Sequence, residues 1–113
     1  MAREELSVDV LSVEGVEPSF VAAAGDGHHF ENDEKTILLV KTAEQAVDVT
    51  IKTPYEREGL ELADRVVTVG ENSYMAIGKF DRRIYTQTEG DFEGDVLVDY
   101  DETNDVEVAA VRV

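Results

Sequence analysis

The chain has 113 residues, 42% of them hydrophobic, with 26 acidic against 10 basic residues and a formal net charge of −16. That length suits one domain, and the apolar content is enough for a packed core and too high for a disordered chain. No apolar run approaches the ~20 residues of a membrane span, no cysteine offers a disulfide, thiolate ligand or thiol nucleophile, and so acidic a surface argues against direct contact with nucleic acid or anionic lipid.

Met1-Ala2-Arg3-Glu4-Glu5 opens the chain without the apolar stretch of about 7–15 residues that a secretory signal carries, so cytoplasmic synthesis is expected. Leu6-Ser7-Val8-Asp9-Val10 alternates with the period of a half-buried strand, and Leu11-Ser12-Val13 continues with a change of face. Ser19 to Ala24 is short and apolar. Thr36 to Lys41 is a continuous apolar run, the pattern of a strand buried on both faces. Val47, Val49 and Ile51 alternate with Asp48, Thr50 and Lys52, again a strand with one face inward. The stretch from Thr53-Pro54 to Asp64 has weak helical periodicity and reads as the longest loop, or one short turn. Arg65 to Val69, Ser73 to Phe80, Ile84 to Thr86, Asp95 to Tyr100 and Val106 to Val113 complete the strand-like segments. Between them lie short polar turns such as Gly25-Asp26-Gly27, Gly70-Glu71-Asn72 and Glu89-Gly90-Asp91.

Short strands at close, regular spacing predict an all-β domain, a β-sandwich or jelly roll of about eight strands. Residues 18–113 form that single β-sandwich domain in this reading. Residues 1–17 form an N-terminal strand or arm that precedes the sandwich, is not needed to close the core and can add a strand to a neighbouring subunit.

Candidate chemistry is sparse. His28-His29 on a strand would point to opposite faces and fail to converge on a metal, so a polar loop over an edge of the core is the expectation. Asn32-Asp33-Glu34 and the stretch from Asp99 to Asp105 are oxygen-rich, but neither has the Gly and Glu spacing of the helix–loop–helix calcium loop. Asp99, Asp101 and Asp105 are the better candidates for Ca²⁺. No nucleophile elbow, phosphate loop or selected carboxylate pair is present, so no catalytic residues are named and no enzyme is expected. Arg82 and Arg83 form the local basic doublet, suited to an acidic neighbour or to an internal ion pair. With Leu6, Val8 and Val10 they make up the expected interface. The aromatic residues read as core.

Only four of the basic residues are lysines, at 35, 41, 52 and 79, and the acids are spread along the whole chain. Such a surface repels itself unless salt screens it, which points to a halophilic origin.

The order of segments resembles a family of small head proteins of tailed phages and of tailed viruses of haloarchaea. The resemblance rests on Phe20 to Ala24, the Gly-Asp-Gly turn, Phe30-Glu31-Asn32-Asp33, Thr36 to Lys41, Val47 to Ile51, Val66 to Val69, Ile77-Gly78-Lys79-Phe80, Val96 to Tyr100 and the valine-rich Val106 to Val113. It departs at Thr42, where relatives carry Asn, and at Lys79, where they carry Pro. It implies a virion structural protein that decorates or cements a capsid, is located on the capsid surface, and has the major capsid protein and copies of itself as partners. A trimer is expected, with a pentamer as the variant. A head–tail connector or tail component is the alternative, and a calcium- or carbohydrate-binding module of a halophilic cell is a further one.

Overall fold

The computed structural model describes residues 3–53, 56–57, 60–61, 64–87 and 92–112. In chain order its strands are β1 (Glu4–Glu5), β2 (Val8–Val10), β3 (Val21–Ala22), β4 (His28–Glu31), β5 (Thr36–Lys41) and β6 (Val47–Ile51). They continue with β7 (Glu56–Arg57), β8 (Leu60–Glu61), β9 (Arg65–Val69), β10 (Tyr74–Ile77), β11 (Asp95–Tyr100) and β12 (Glu107–Arg112). A single helical turn, α1 (Arg82–Tyr85), precedes β11.

Among the described residues, ten of these strands form two mixed five-stranded sheets packed face to face, so the domain is all-β and sandwich-like, with ten strands in place of about eight. The first sheet has the order β1-β4-β11-β6-β9. The second runs β10-β5-β12-β2, with β3 also paired to β12. β7 and β8 form a separate two-stranded ribbon. The long loop expected over residues 53–64 lies partly outside the described residues, and the Glu89-Gly90-Asp91 turn lies wholly outside them.

The core follows from the period of two. Val47, Val49 and Ile51 of β6 and Val96 and Val98 of β11 point inward from the first sheet and are fully buried. They meet Leu38 and Val40 of β5 and Val108 and Ala110 of β12. Each such valine, leucine or isoleucine removes apolar area worth about 1.5–3 kcal/mol from water. The continuous apolar runs need a second explanation, because their outward residues are buried too. Leu39, Ala109 and Val111 make a smaller cluster on the outer face of the second sheet, and Phe20 and Ile37 pack against it. The segment ahead of β3 thus covers a face that would otherwise be wet, and the two-sided burial expected of Thr36–Lys41 is present.

Three elements differ from the sequence expectation. His28–Glu31 is a strand, not a loop, because His28 and Phe30 alternate inward while Glu31 stays exposed. Ile84-Tyr85 lies in a helical turn, not a strand, closed by the Ile84 and Tyr85 amides donating to the Asp81 carbonyl, both at 3.0 Å. The N-terminal segment is part of the body. β1 pairs in parallel with β4, and the Leu6 amide donates to the His29 carbonyl at 2.8 Å. Two residues later β2 pairs in parallel with β12 of the other sheet. Leu6, 2% exposed, lies in the core between them. Residues 4–10 therefore strap one side of the sandwich shut, and an arm that leaves the core complete without it is not what the chain has.

Candidate functional site

Two surfaces stand out, one at the β2–β3 edge of the second sheet and one between the opposite sheet edges. The first begins at β2. The Asp9 carboxylate accepts hydrogen bonds from the Ser19 amide at 2.8 Å and the Ser19 hydroxyl at 3.3 Å, which pins together the two ends of a loop. At its tip the Gly15 amide donates to the Ser12 carbonyl at 3.0 Å, with Gly15 at φ +92°, a conformation glycine adopts without strain. That turn places Val13 at its corner with its side chain wholly in solvent. Val10, Leu11 and Val21, 53%, 46% and 43% exposed, flank it. The loop is seated by Phe20, whose ring meets Tyr74 edge-on at 5.8 Å and carries the Lys41 ammonium 4.2 Å from its centroid. Four sizeable apolar side chains, at 10, 11, 13 and 21, thus stand in water on this edge.

The second surface lies opposite the N-terminal strap, where β9 and β10 form the outer strands of the two sheets. Between the Arg65 end of β9 and the Ile77 end of β10 is an open groove of about 320 Å³. Ile51, Val67, Met75, Ile77 and Phe80 line it, with Arg65 and Lys79 at its rim.

The predicted interface residues separate. Leu6 is buried in the core and Val8 is half-buried against it; of that set β2 exposes Val10. Arg82 is engaged within the chain: its guanidinium donates to the Asn32 carbonyl at 3.3 Å, and its amide donates to the Glu34 carboxylate at 3.1 Å. The side chain of Arg83 lies outside the described residues.

The candidate calcium ligands do not converge, because each carboxylate is oriented elsewhere. Asp99 pairs with the Arg3 guanidinium at 2.5 Å. Asp101 accepts from the Asp48 amide at 2.7 Å. Asp105 occupies an exposed turn at φ 57°. Among the described residues no three acidic or imidazole side chains come together as a metal site. Asn32-Asp33-Glu34 is likewise consumed internally. The buried Asn32 amide donates to the Thr86 hydroxyl at 2.9 Å, and its side-chain oxygen accepts from the Glu34 amide at 3.0 Å. Burial alone would raise Asp33, but hydrogen bonds from the Lys35 amide, the Thr36 hydroxyl and Arg112 outweigh it and hold the carboxyl below the usual range.

The histidines do point to opposite faces. His28 is buried, and its Nδ1 lies 2.8 Å from the Tyr100 hydroxyl. Burial pushes the imidazole pKa below its ordinary value against the pull of Glu4, with His29 and Arg3 adding to the depression. Burial, reinforced by the Asp99 charge, pushes Tyr100 upward, so its hydroxyl keeps its proton beside the His28 ring. His29 faces outward, 2.6 Å from the Asp95 carboxylate and against the Phe92 ring.

The exposed loop and the groove escaped sequence reasoning for one reason: neither is a motif. Leu11-Ser12-Val13 was legible as apolar, but its exposure depends on the Asp9–Ser19 closure. Compared with protein-family models, curated proteins and solved structures, the chain has no significant match to any of them.

Proposed function

We propose that this domain is a structural, non-enzymatic subunit that decorates or cements the capsid of a tailed virus of a halophilic host, bound to the major capsid protein and to copies of itself. The observation that carries the reading is the set of exposed apolar side chains Val10, Leu11, Val13 and Val21 on a domain whose formal charge is −16. Exposed apolar strips with acidic surroundings suit permanent contact in brine, where salt screens carboxylate repulsion and leaves apolar attraction intact or strengthened. A stable contact of this kind buries on the order of 1,200–2,000 Å² in total. Closed symmetry makes a trimer natural, with a pentamer as the variant.

Two measurements test it. Quantitative proteomics of purified particles should find on the order of hundreds of copies per particle if the subunit covers a symmetric shell, whereas about six or twelve would move it to the neck or tail. Rebinding to stripped particles should weaken about tenfold or more in Val13→Asp, because a carboxylate would be desolvated in the contact. Unchanged rebinding, or no affinity of the wild-type chain for the shell, sinks the assignment.

A further inference from the structure

The sandwich is sealed on one side and open on the other. On the sealed side the chain's own residues 4–10 lie along both sheets and drop Leu6 into the gap. On the open side, β9 pairs only with β6 and β10 only with β5 among the described residues, so both outer edges keep unpaired backbone groups. Such edges are templates for another strand unless they are guarded.

The groove between them has a distinct electrostatic character. Among the described residues that line it none is acidic, while Arg65 and Lys79 are basic. Both are exposed, and neither has an ion pair among the described residues. Arg3, Lys41, Lys52 and Arg112, by contrast, each sit beside a carboxylate. Unpaired cations over an apolar cleft, in a chain so rich in anions, mark the place where an outside carboxylate is favoured.

We infer that this groove receives an extended peptide segment of a partner protein, apolar along its length and acidic at the end that meets Arg65 and Lys79. The segment adds to the free edge of β10, main chain to main chain, as β2 adds to β12 elsewhere in the fold. Its inward side chains enter the cleft and meet Val67, Met75, Ile77 and Phe80. The unpaired edge and the open form of the cleft favour a strand over a small enclosed ligand. The inference stands apart from the capsid reading, since it uses different residues and holds for any partner that carries such a segment.

The test uses the intact chain and two labelled synthetic peptides, Val-Thr-Val-Thr-Val-Glu-Glu and the same peptide ending in Lys-Lys. Fluorescence anisotropy should show saturable binding of the acidic peptide, about fivefold tighter than that of the basic one, against the trend set by the net charge. The double variant Arg65→Glu, Lys79→Glu alters two exposed side chains and should reverse that order while leaving the circular dichroism spectrum unchanged. Hydrogen exchange should slow at Tyr74 to Ile77 when the acidic peptide binds. The inference is overturned if neither peptide saturates, in which case the two cations only guard the edges. It is equally overturned if the basic peptide binds as well as the acidic one, if protection appears at β2 instead, or if decanoate occupies the groove and the peptides do not.

Discussion

Arg3 shows how much a single side chain organises here. Its guanidinium meets the Asp99 carboxylate at 2.5 Å and the Val98 carbonyl at 3.0 Å, lying over Gly27. Gly27 sits at φ +84°, and a Cβ there would fall 2.6 Å from the Val98 carbonyl oxygen, so both backbone and space demand glycine. Beside it, the buried His28 meets the half-buried Tyr100 hydroxyl. The folded imidazole has a pKa below its unfolded value, so the folded state resists taking up the proton that the unfolded chain accepts. Stability linked to His28 is complete above about pH 6.5 and is lost as pH falls toward the lower folded value. Urea midpoints should therefore begin to drop just below about pH 6.5, and His28→Asn should flatten that part of the profile. A wild-type profile as flat as the variant's would show that burial leaves the imidazole unperturbed. The sequence displayed two adjacent histidines, and their opposite orientation follows from strand geometry alone. That one would be inside depended on β1 covering the edge of β4, which no local pattern announces.

At the level of elements, alternation was the most legible signal. β6, β9, β11 and β12 lie where the valine-rich segments predict them, because an alternating run has one face that must be buried. β4 was hidden because a histidine occupied an inward position, and Ile84-Tyr85 misled because β-branched and aromatic residues favour a strand only where a partner strand exists. The N-terminal strap was legible as strand but not as core: where Leu6 goes depends on two parallel pairings with residues far along the chain. Leu6→Ala should cost about 2–5 kcal/mol, as removal of a buried leucine side chain does elsewhere. Denaturant unfolding of the purified chain measures it. A loss below about 0.5 kcal/mol would mean the strap is dispensable to the fold.

For the molecule as a whole, charge dominates. Several surface ion pairs are partly exposed, Lys41 with Glu107 at 3.8 Å among them, and contacts of that kind stabilise little. Every basic residue could be paired and the net charge of −16 would still stand unopposed. The Debye length is about 10 Å at 0.1 M salt and about 3 Å at 1 M, so carboxylate repulsion between neighbouring turns is felt in the first case and nearly absent in the second. The thermal midpoint should therefore climb steeply between those concentrations; a midpoint that does not move would remove the halophilic argument and leave the fold untouched. The sandwich was readable because burial writes a periodic signature. The two exposed surfaces carry none: the setting of Val13 depends on the Asp9–Ser19 closure, and the β10 edge, unpaired among the described residues, exists only once the sheet has formed.

The position of β12 between β5 and β2 has a consequence for how the chain reaches this state. Its partners include residues 8–10 on one flank and 36–41 on the other, so the second sheet is joined only when Glu107–Arg112 arrives. A nascent chain that has not yet released that segment from the ribosome holds β5 with one flank bare and Phe20 without Ala109 and Val111 beneath it. Pairings of such long sequence separation cost loop-closure entropy and slow folding. The dense carboxylates then keep such half-made chains apart from one another until the last strand slots in.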